Sequence, residues 1–318
     1  MKHMIAALCL GLAAFAPATA QRAHHPAQDR ALRTVTRDPP RDAAHPARNR
    51  QLVIESHGAE MNALFFLAAG AGPHPTMLLL HGLPGNERNL DLAQAIRRAG
   101  WNVLTFTYRG AWGSEGDFSI AHAIEDTSAA MAFLRSPAAI REYGIDPTRL
   151  VIAGHSMGGY MAAHEAAAEE ERAQTPTPVR PERSRGTHPS EAEVLAGLIL
   201  LDAWNIASDA AQSRAALLAG MDDFGHSLHG ATPETVTDEI LARGPAWSLP
   251  ALAPHLTRAP ILTITALHGG AEGNRATTEA LRRAGARVTA REIDSDHPFA
   301  DHRIALAAEV VRWLQMLR

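Results

Sequence analysis

The chain has 318 residues, 46% hydrophobic and 20% charged, with a formal net charge of −4. That is globular composition, with enough chain for one large α/β domain or two small ones. The mild charge excludes an electrostatic footprint for nucleic acid or for an anionic membrane surface.

Met1-Lys2-His3 is a short basic start, Met4 to Phe15 is continuously apolar, and Ala18-Thr19-Ala20 is an A-x-A site. This is the pattern of a secretory signal peptide over 1–20, cleaved before Gln21. The apolar run is too short to span a bilayer comfortably, so no stable membrane anchor is expected after cleavage. The expectation is an exported bacterial protein, periplasmic or extracellular. Cys9 is the only cysteine. Its removal with the leader excludes disulfides, a cysteine nucleophile and cysteine-based metal sites. Residues 21–50 are rich in Arg, His, Pro and Ala without apolar periodicity, and read as a disordered linker. His24, His25 and His45 lack ligand spacing, so no metal is expected there.

The folded pattern, 51–318, opens with Leu52–Ile54 and Ala63–Leu67 as a strand pair. Buried strands are predicted at Thr76–Leu80, Trp101–Phe106, Arg149–Ala153, Ala196–Leu201, Ile261–Thr265 and Arg287–Ile293. Helical stretches fall at Leu90–Ala99, Ile120–Leu134, from Tyr160 onward, and at Ile304–Leu317. Short apolar runs alternating with helices predict a mostly parallel sheet wrapped on both faces. Two segments interrupt the alternation. Residues 175–190 are Pro/Arg-rich and read as a low-complexity loop without a role in chemistry. Residues 203–258 are long enough to form a small helical cap over the C-terminal edge of the sheet. Trp204, Met221, Phe224, Trp247 and Leu249 either line an acyl pocket there or glue the cap down.

The chemistry concentrates at Gly154-His155-Ser156-Met157-Gly158, followed by Gly159. A G-x-S-x-G between a strand and a helix makes a turn tight enough to lift the serine hydroxyl clear of the sheet. Small residues two before and two after the serine let strand and helix approach. A serine nucleophile needs a histidine to take its proton and a carboxylate to hold that histidine in the right tautomer. His297 follows the last strand at the catalytic edge and is favoured over His302, which starts the closing helix. For the acid, Glu272 is the one carboxylate in the loop after the Ile261–Thr265 strand, with Asp202 at the end of the preceding strand as the alternative. Asp294 and Asp296 stand too close in sequence to His297 to orient its ring. His81-Gly82-Leu83-Pro84-Gly85-Asn86 is a strand-to-helix loop that can aim the Leu83 N–H at the site, paired with the N–H of Met157 as an oxyanion hole.

The order Ser156, acid, His297, with His81-Gly82 upstream, resembles the α/β-hydrolase superfamily over roughly 51–318. Tyr108-Arg109-Gly110-Ala111-Trp112-Gly113-Ser114-Glu115-Gly116 is similar to a Gly-rich loop of that superfamily. Gly154 to Tyr160 looks most like bacterial serine esterases, serine aminopeptidases and prolyl-oligopeptidase-type peptidases. Related dehalogenases and epoxide hydrolases carry aspartate at the nucleophile position, so Ser156 points to acyl transfer. The departure from the pattern is a missing aspartate in the usual acid loop. The expected activity is hydrolysis of a small acyl ester through an acyl-enzyme, with no cofactor and no metal. The alternatives are a serine peptidase acting on short peptides and a binding protein on the same fold. An aminopeptidase would need a carboxylate pair, for which Asp222-Asp223 or Glu234 with Asp238 are the candidates.

Overall fold

The computed structural model describes residues 26–174, 194–221 and 227–317. The expected leader, 1–20, the loop at 175–190, Asp222-Asp223 and Phe224 lie outside those residues.

The sheet opens with a hairpin, β1 (Arg48–Ser56) and β2 (Ala59–Leu67). Its two-residue turn, His57-Gly58, has positive φ at both positions, 50° and 82°. Such turns match the twist of the flanking strands. Then follow β3 (His74–Leu80), β4 (Asn102–Phe106), β5 (Ile145–His155), β6 (Gly197–Leu201), β7 (Ile261–His268) and β8 (Val288–Asp296). They make one eight-stranded sheet in the order β1-β2-β4-β3-β5-β6-β7-β8. β2 pairs antiparallel with β1 and β4, and all other pairings are parallel.

Central strands are apolar throughout because both faces are covered. Successive residues go to opposite sides, as strand geometry requires. Leu78, Leu80, Ile152, Leu198 and Leu200 enter one core, beneath α3 (Ile120–Arg135), α5 (Met157–Gln174) and α9 (Ala271–Arg283). Met77, Leu79, Val151, Ile199 and Leu201 enter the other, beneath α2 (Leu90–Arg98) and α10 (Arg303–Leu314). A short helix, α4 (Pro137–Tyr143), precedes β5.

The structure corrects the expected linker over its described part, residues 26–50. Pro26–Thr36 form a helix, α1, packed on α10 and α2, and β1 already begins at Arg48. Ala31 is fully buried. Arg98 donates from Nε and Nη2 to the carbonyls of Thr34 and Val35 at 3.1 and 2.7 Å. Those carbonyls have no partner inside a helix, and a cation at a helix C-terminus is favourable. A helix held by one small buried face and a charged clamp leaves little apolar periodicity to read.

The described residues of 203–258 carry several short helices. They form α6 (Ile206–Asp209), α7 (Arg214–Ala219) and α8 (Pro233–Arg243), then short 3-10 turns at Gly244–Ala246 and Pro250–His255. Glu239 of α8 accepts from the N–H groups of Ile120 and Ala121 at 2.9 and 3.0 Å, capping α3 with a carboxylate. Backbone bonds from Trp112 to Ser227 and from His229 to Gly110 stitch the cap to the loop after β4. Trp247 and Leu249 are buried in the core and act as glue. The C-terminal ends of β3, β5, β6 and β7 thus lie between this cap and the loops that follow each strand.

Candidate active site

β5 runs into α5 through a single residue, Ser156, whose φ is 55°. A non-glycine side chain is uncommon in that region, and the strain must be held by its surroundings. Four backbone bonds hold it. Ser156 N–H donates to Leu201 O at 3.1 Å, and Ser156 O accepts from Gly159 and Trp204 N–H, each at 2.9 Å, and from Tyr160 N–H at 3.4 Å. The flanking glycines are obligatory. A Cβ on Gly154 would come within 1.9 Å of Gly158 O, and one on Gly158 within 2.5 Å of Leu80 O. A Cβ on Gly159 would strike the Ala203 methyl at 2.4 Å.

His297, just past β8, presents Nδ1 to Asp202 Oδ2 at 2.6 Å. Asp202 is fully buried and the His297 ring is partly open, so the pair is a carboxylate floor under an accessible imidazole. With Nδ1 donating to the carboxylate, Nε2 of a neutral ring is left free to accept a proton. Ser156 and His297 face the same cavity.

Asp202 therefore takes the place expected of Glu272. Glu272 is exposed in the first turn of α9, where a helix N-terminus favours an acidic residue. Asp202 directly follows β6 with φ 39°, and its oxygens accept from Ala266 N, Gly270 N and Asn274 Nδ2 at 3.1, 2.9 and 3.1 Å besides His297. The loop after β7 lacks a carboxylate at this spot because it makes room for one. A Cβ on Gly269 would stand 2.3 Å from Asp202 Oδ2. Asn274 and Gly269 were not singled out from sequence. The Gly269-Gly270 pair directly after an apolar strand was the available signal.

The other candidates sort themselves by place. His302 sits at the N-cap of α10 beside Asp301 and opens onto a different cavity. Asp294 meets His268 at 2.7 Å, and Asp296 accepts from Ala300 N at 2.6 Å. Asp238 on α8 pairs with Arg214, and neither it nor Glu234 lines the Ser156 cavity.

His155 is a residue that sequence reading passed over. Its Nε2 meets the His297 carbonyl at 2.9 Å, and its ring lies 4.6 Å from the His297 ring. A carbonyl only accepts, so Nε2 carries the proton. Burial, then the nearby His297 charge, lowers the His155 pKa to about 4 and keeps the ring neutral. The backbone of His297 is thereby tied to the nucleophile turn.

The loop after β3 presses on the serine. A Cβ on Gly82 would stand 2.8 Å from Ser156 Cβ and 3.3 Å from Oγ. Its carbonyls are held by side chains. Tyr108 Oη donates to His81 O at 3.2 Å, His81 Nδ1 to Gly82 O at 2.7 Å, and Trp112 Nε1 to Pro84 O at 2.9 Å. Burial lowers the His81 pKa to about 4, so this donor is a neutral imidazole. Leu83 lines the cavity, and Met157 is the first residue of α5. The first N–H of a helix has no intrahelical acceptor and lies at the positive end of the dipole. A serine hydroxyl, an imidazole on a buried carboxylate and the loop after β3 thus line one cavity at the N-terminus of α5.

The cavity has two lobes that meet at Ser156 and His297. One, of about 320 Å³, runs along Gly82 to Glu87 and Pro298. The other, of about 460 Å³, runs beneath the cap along Ala203, Trp204, Leu217 and Met221. A cavity of about 540 Å³ between the β1–β2 hairpin and Trp112 contains neither Ser156 nor His297. Among the described residues no group of three or more His, Cys, Asp or Glu is placed to hold a metal ion.

Sheet order, strained serine turn and the Asp–His pair at the strand ends define a hydrolase of the α/β class. Residues 77–311 match the alpha/beta hydrolase family, and the chain belongs to it. A 115-residue stretch is 30% identical to "Uncharacterized protein Rv2307c" of Mycobacterium tuberculosis, covering 36% of this chain and 39% of that protein. Well under half of that relative's length is thus matched. The fold is similar to an esterase of Pyrobaculum calidifontis, with TM-score 0.61, 18% identity and coverage of 91% of this chain and 90% of that one. It is also similar to EstE1, a thermostable carboxylesterase from a metagenomic library, with TM-score 0.59, 20% identity and coverage of 92% and 95%. A brefeldin A esterase aligns with TM-score 0.56 and 17% identity over 96% of this chain and 86% of its own.

Proposed function

We propose that the protein is an exported serine hydrolase that cleaves a carboxylic ester through an acyl-enzyme. The observation that carries this reading is the 2.6 Å bond from His297 Nδ1 to buried Asp202, beside a serine held at positive φ. His297 Nε2 takes the Ser156 proton as Oγ attacks the ester carbonyl. The N–H groups of Leu83 and Met157 receive the oxyanion, and the carbonyls pinned by Tyr108, His81 and Trp112 keep that loop turned toward the serine. Asp202 stabilises the imidazolium while it exists. The proton then passes to the leaving alkoxide. Water, deprotonated by His297, attacks the acyl-serine; the C–O bond to Ser156 breaks, His297 returns that proton to Oγ, and the carboxylic acid leaves. No cofactor enters the scheme. The apolar wall of Ala203, Trp204, Leu217 and Met221 suits an acyl chain, and the fold is shared with proteins described as esterases. Export rests on the basic start, apolar run and A-x-A site of residues 1–20.

The test is hydrolysis of p-nitrophenyl acyl esters of graded length beside aminoacyl p-nitroanilides, with Ser156→Ala as control. Ester turnover is expected, lost by at least about 10³-fold in the variant. Anilide turnover without ester preference would replace the esterase reading with the peptidase one. Absence of Ser156-dependent turnover of both would overturn it. Export is checked by N-terminal sequencing of protein recovered outside the cytoplasm, which should begin at Gln21.

A further inference from the structure

The lobe beneath the cap carries a charge that the ester chemistry leaves unused. Asp209, at the end of α6, lines it together with Trp204. The Asp209 carboxylate accepts from Trp204 Nε1 at 2.6 Å and from Gln212 Nε2 at 2.8 Å. Both donors are neutral, and each carboxylate oxygen keeps further acceptor capacity. The other acids of the cavity are already answered. Asp202 is bonded to His297, and Glu87 lies 3.9 Å from Arg303. Among the described residues no lysine or arginine lines either lobe. Among the described lining residues carboxylates thus outnumber cations, and Asp209 is the one that neither holds His297 nor faces an arginine.

Trp204 places this charge relative to the chemistry. Its backbone N–H donates to Ser156 O at 2.9 Å, while its indole N–H reaches Asp209. One residue therefore links the nucleophile turn to the far carboxylate. An indole face beside a carboxylate is the pairing that takes an alkylammonium, by cation–π attraction on one side and charge on the other. Resting on the ester-hydrolase reading, we propose that Trp204 and Asp209 form a subsite for a positively charged ammonium group at the end of the substrate's acyl chain. The same charge excludes acyl chains ending in a carboxylate.

The test compares methyl esters of (CH₃)₃N⁺–(CH₂)n–COOH with their carbon isosteres (CH₃)₃C–(CH₂)n–COOH for n from 1 to 5, each rate divided by that ester's alkaline hydrolysis rate. The pairs share shape and differ in charge. At the best n the cation is expected to be preferred by about tenfold in kcat/KM, a preference that shrinks in high salt. Asp209→Asn keeps an acceptor for the indole and removes the charge, and should bring the ratio close to one. A ratio near one at every n in the natural protein, or a ratio that Asp209→Asn leaves unchanged, would overturn the subsite. Binding is read separately from turnover by calorimetric titration of Ser156→Ala with butyltrimethylammonium. Its affinity should fall about tenfold when Asp209→Asn is added, and equal affinities would sink the proposal even if the esters are cleaved. Loss of cation binding together with absent ester turnover would count against the reaction assigned and for the subsite.

Discussion

Asp202→Asn is the substitution that separates the observed site from its nearest alternative. Asp202 is completely buried and accepts four hydrogen bonds, Ala266 N and Asn274 Nδ2 on Oδ1, Gly270 N and His297 Nδ1 on Oδ2. An asparagine amide has one oxygen and one NH₂. With NH₂ on the Oδ1 side it opposes Ala266 N and Asn274, and a buried backbone donor is stranded. With NH₂ on the Oδ2 side it opposes His297, whose ring must move its proton to Nε2 and so loses the lone pair that takes the serine proton. Turnover should fall about 10³- to 10⁴-fold, because the histidine is trapped in the wrong tautomer. Folding stability should fall by about 1–3 kcal/mol, the cost of a buried donor left unpaired. The assay is ester turnover of folded variant, with urea unfolding to confirm the fold. Glu272→Gln, on the exposed first turn of α9, should stay within about twofold, since surface changes away from such features are small. Asp202→Asn within tenfold of the natural protein, or Glu272→Gln as a dead enzyme, would refute the assignment of the acid.

Gly158→Ala should destabilise the fold by about 2–3 kcal/mol as well as remove activity, because the new methyl meets two backbone oxygens that cannot step aside. Those oxygens are Leu80 O at 2.5 Å and His81 O at 2.6 Å. A shift in urea midpoint is the readout, and an unshifted midpoint would contradict the packing at the turn. Stability should also fall as pH drops from about 6.5 to about 4. His81 and His155 are held neutral with pKa near 4 against 6.5 in the unfolded chain, so between those values the unfolded state binds more protons and is favoured. Each buried ring can contribute up to about 3 kcal/mol across that window, with nothing further lost below it and the full stability present above it. His155→Gln should flatten the dependence of the urea midpoint on pH; an unchanged slope would show that the ring titrates freely in the fold.

The candidate site is legible in the sequence where the signal is local. The serine turn needs its glycines within three residues of Ser156, and the strand and helix around it adjoin in the chain. The histidine was readable because the last strand ends in a short loop that the sheet order brings to the catalytic edge. The acid was not decided by such cues. Asp202 and His297 are 95 residues apart, and β7 with its loop comes between them in the chain. Whether the loop after β7 brings a carboxylate or clears space for one depends on Gly269 Cα packing against a residue of another strand. The polar helix α1 failed to register for a similar reason, since its partners Arg98 and α10 are distant in sequence.

By itself, then, the amino-acid order determined the alternation of apolar runs and amphipathic helices, the parallel sheet that alternation requires, and a strained nucleophile turn. These depend on periodicity and on steric demands between near neighbours. Only the tertiary structure decided which carboxylate meets His297, which carbonyls of the His81–Pro84 loop are turned away, and that Trp204 joins Asp209 on the cavity wall. The first joins strand ends 95 residues apart and the second joins loops 27 and 28 residues apart, at distances set by how the sheet stacks those ends. Trp204 and Asp209 are only five residues apart, but it is the packing of Trp204 N–H on Ser156 O that turns the pair toward the cavity.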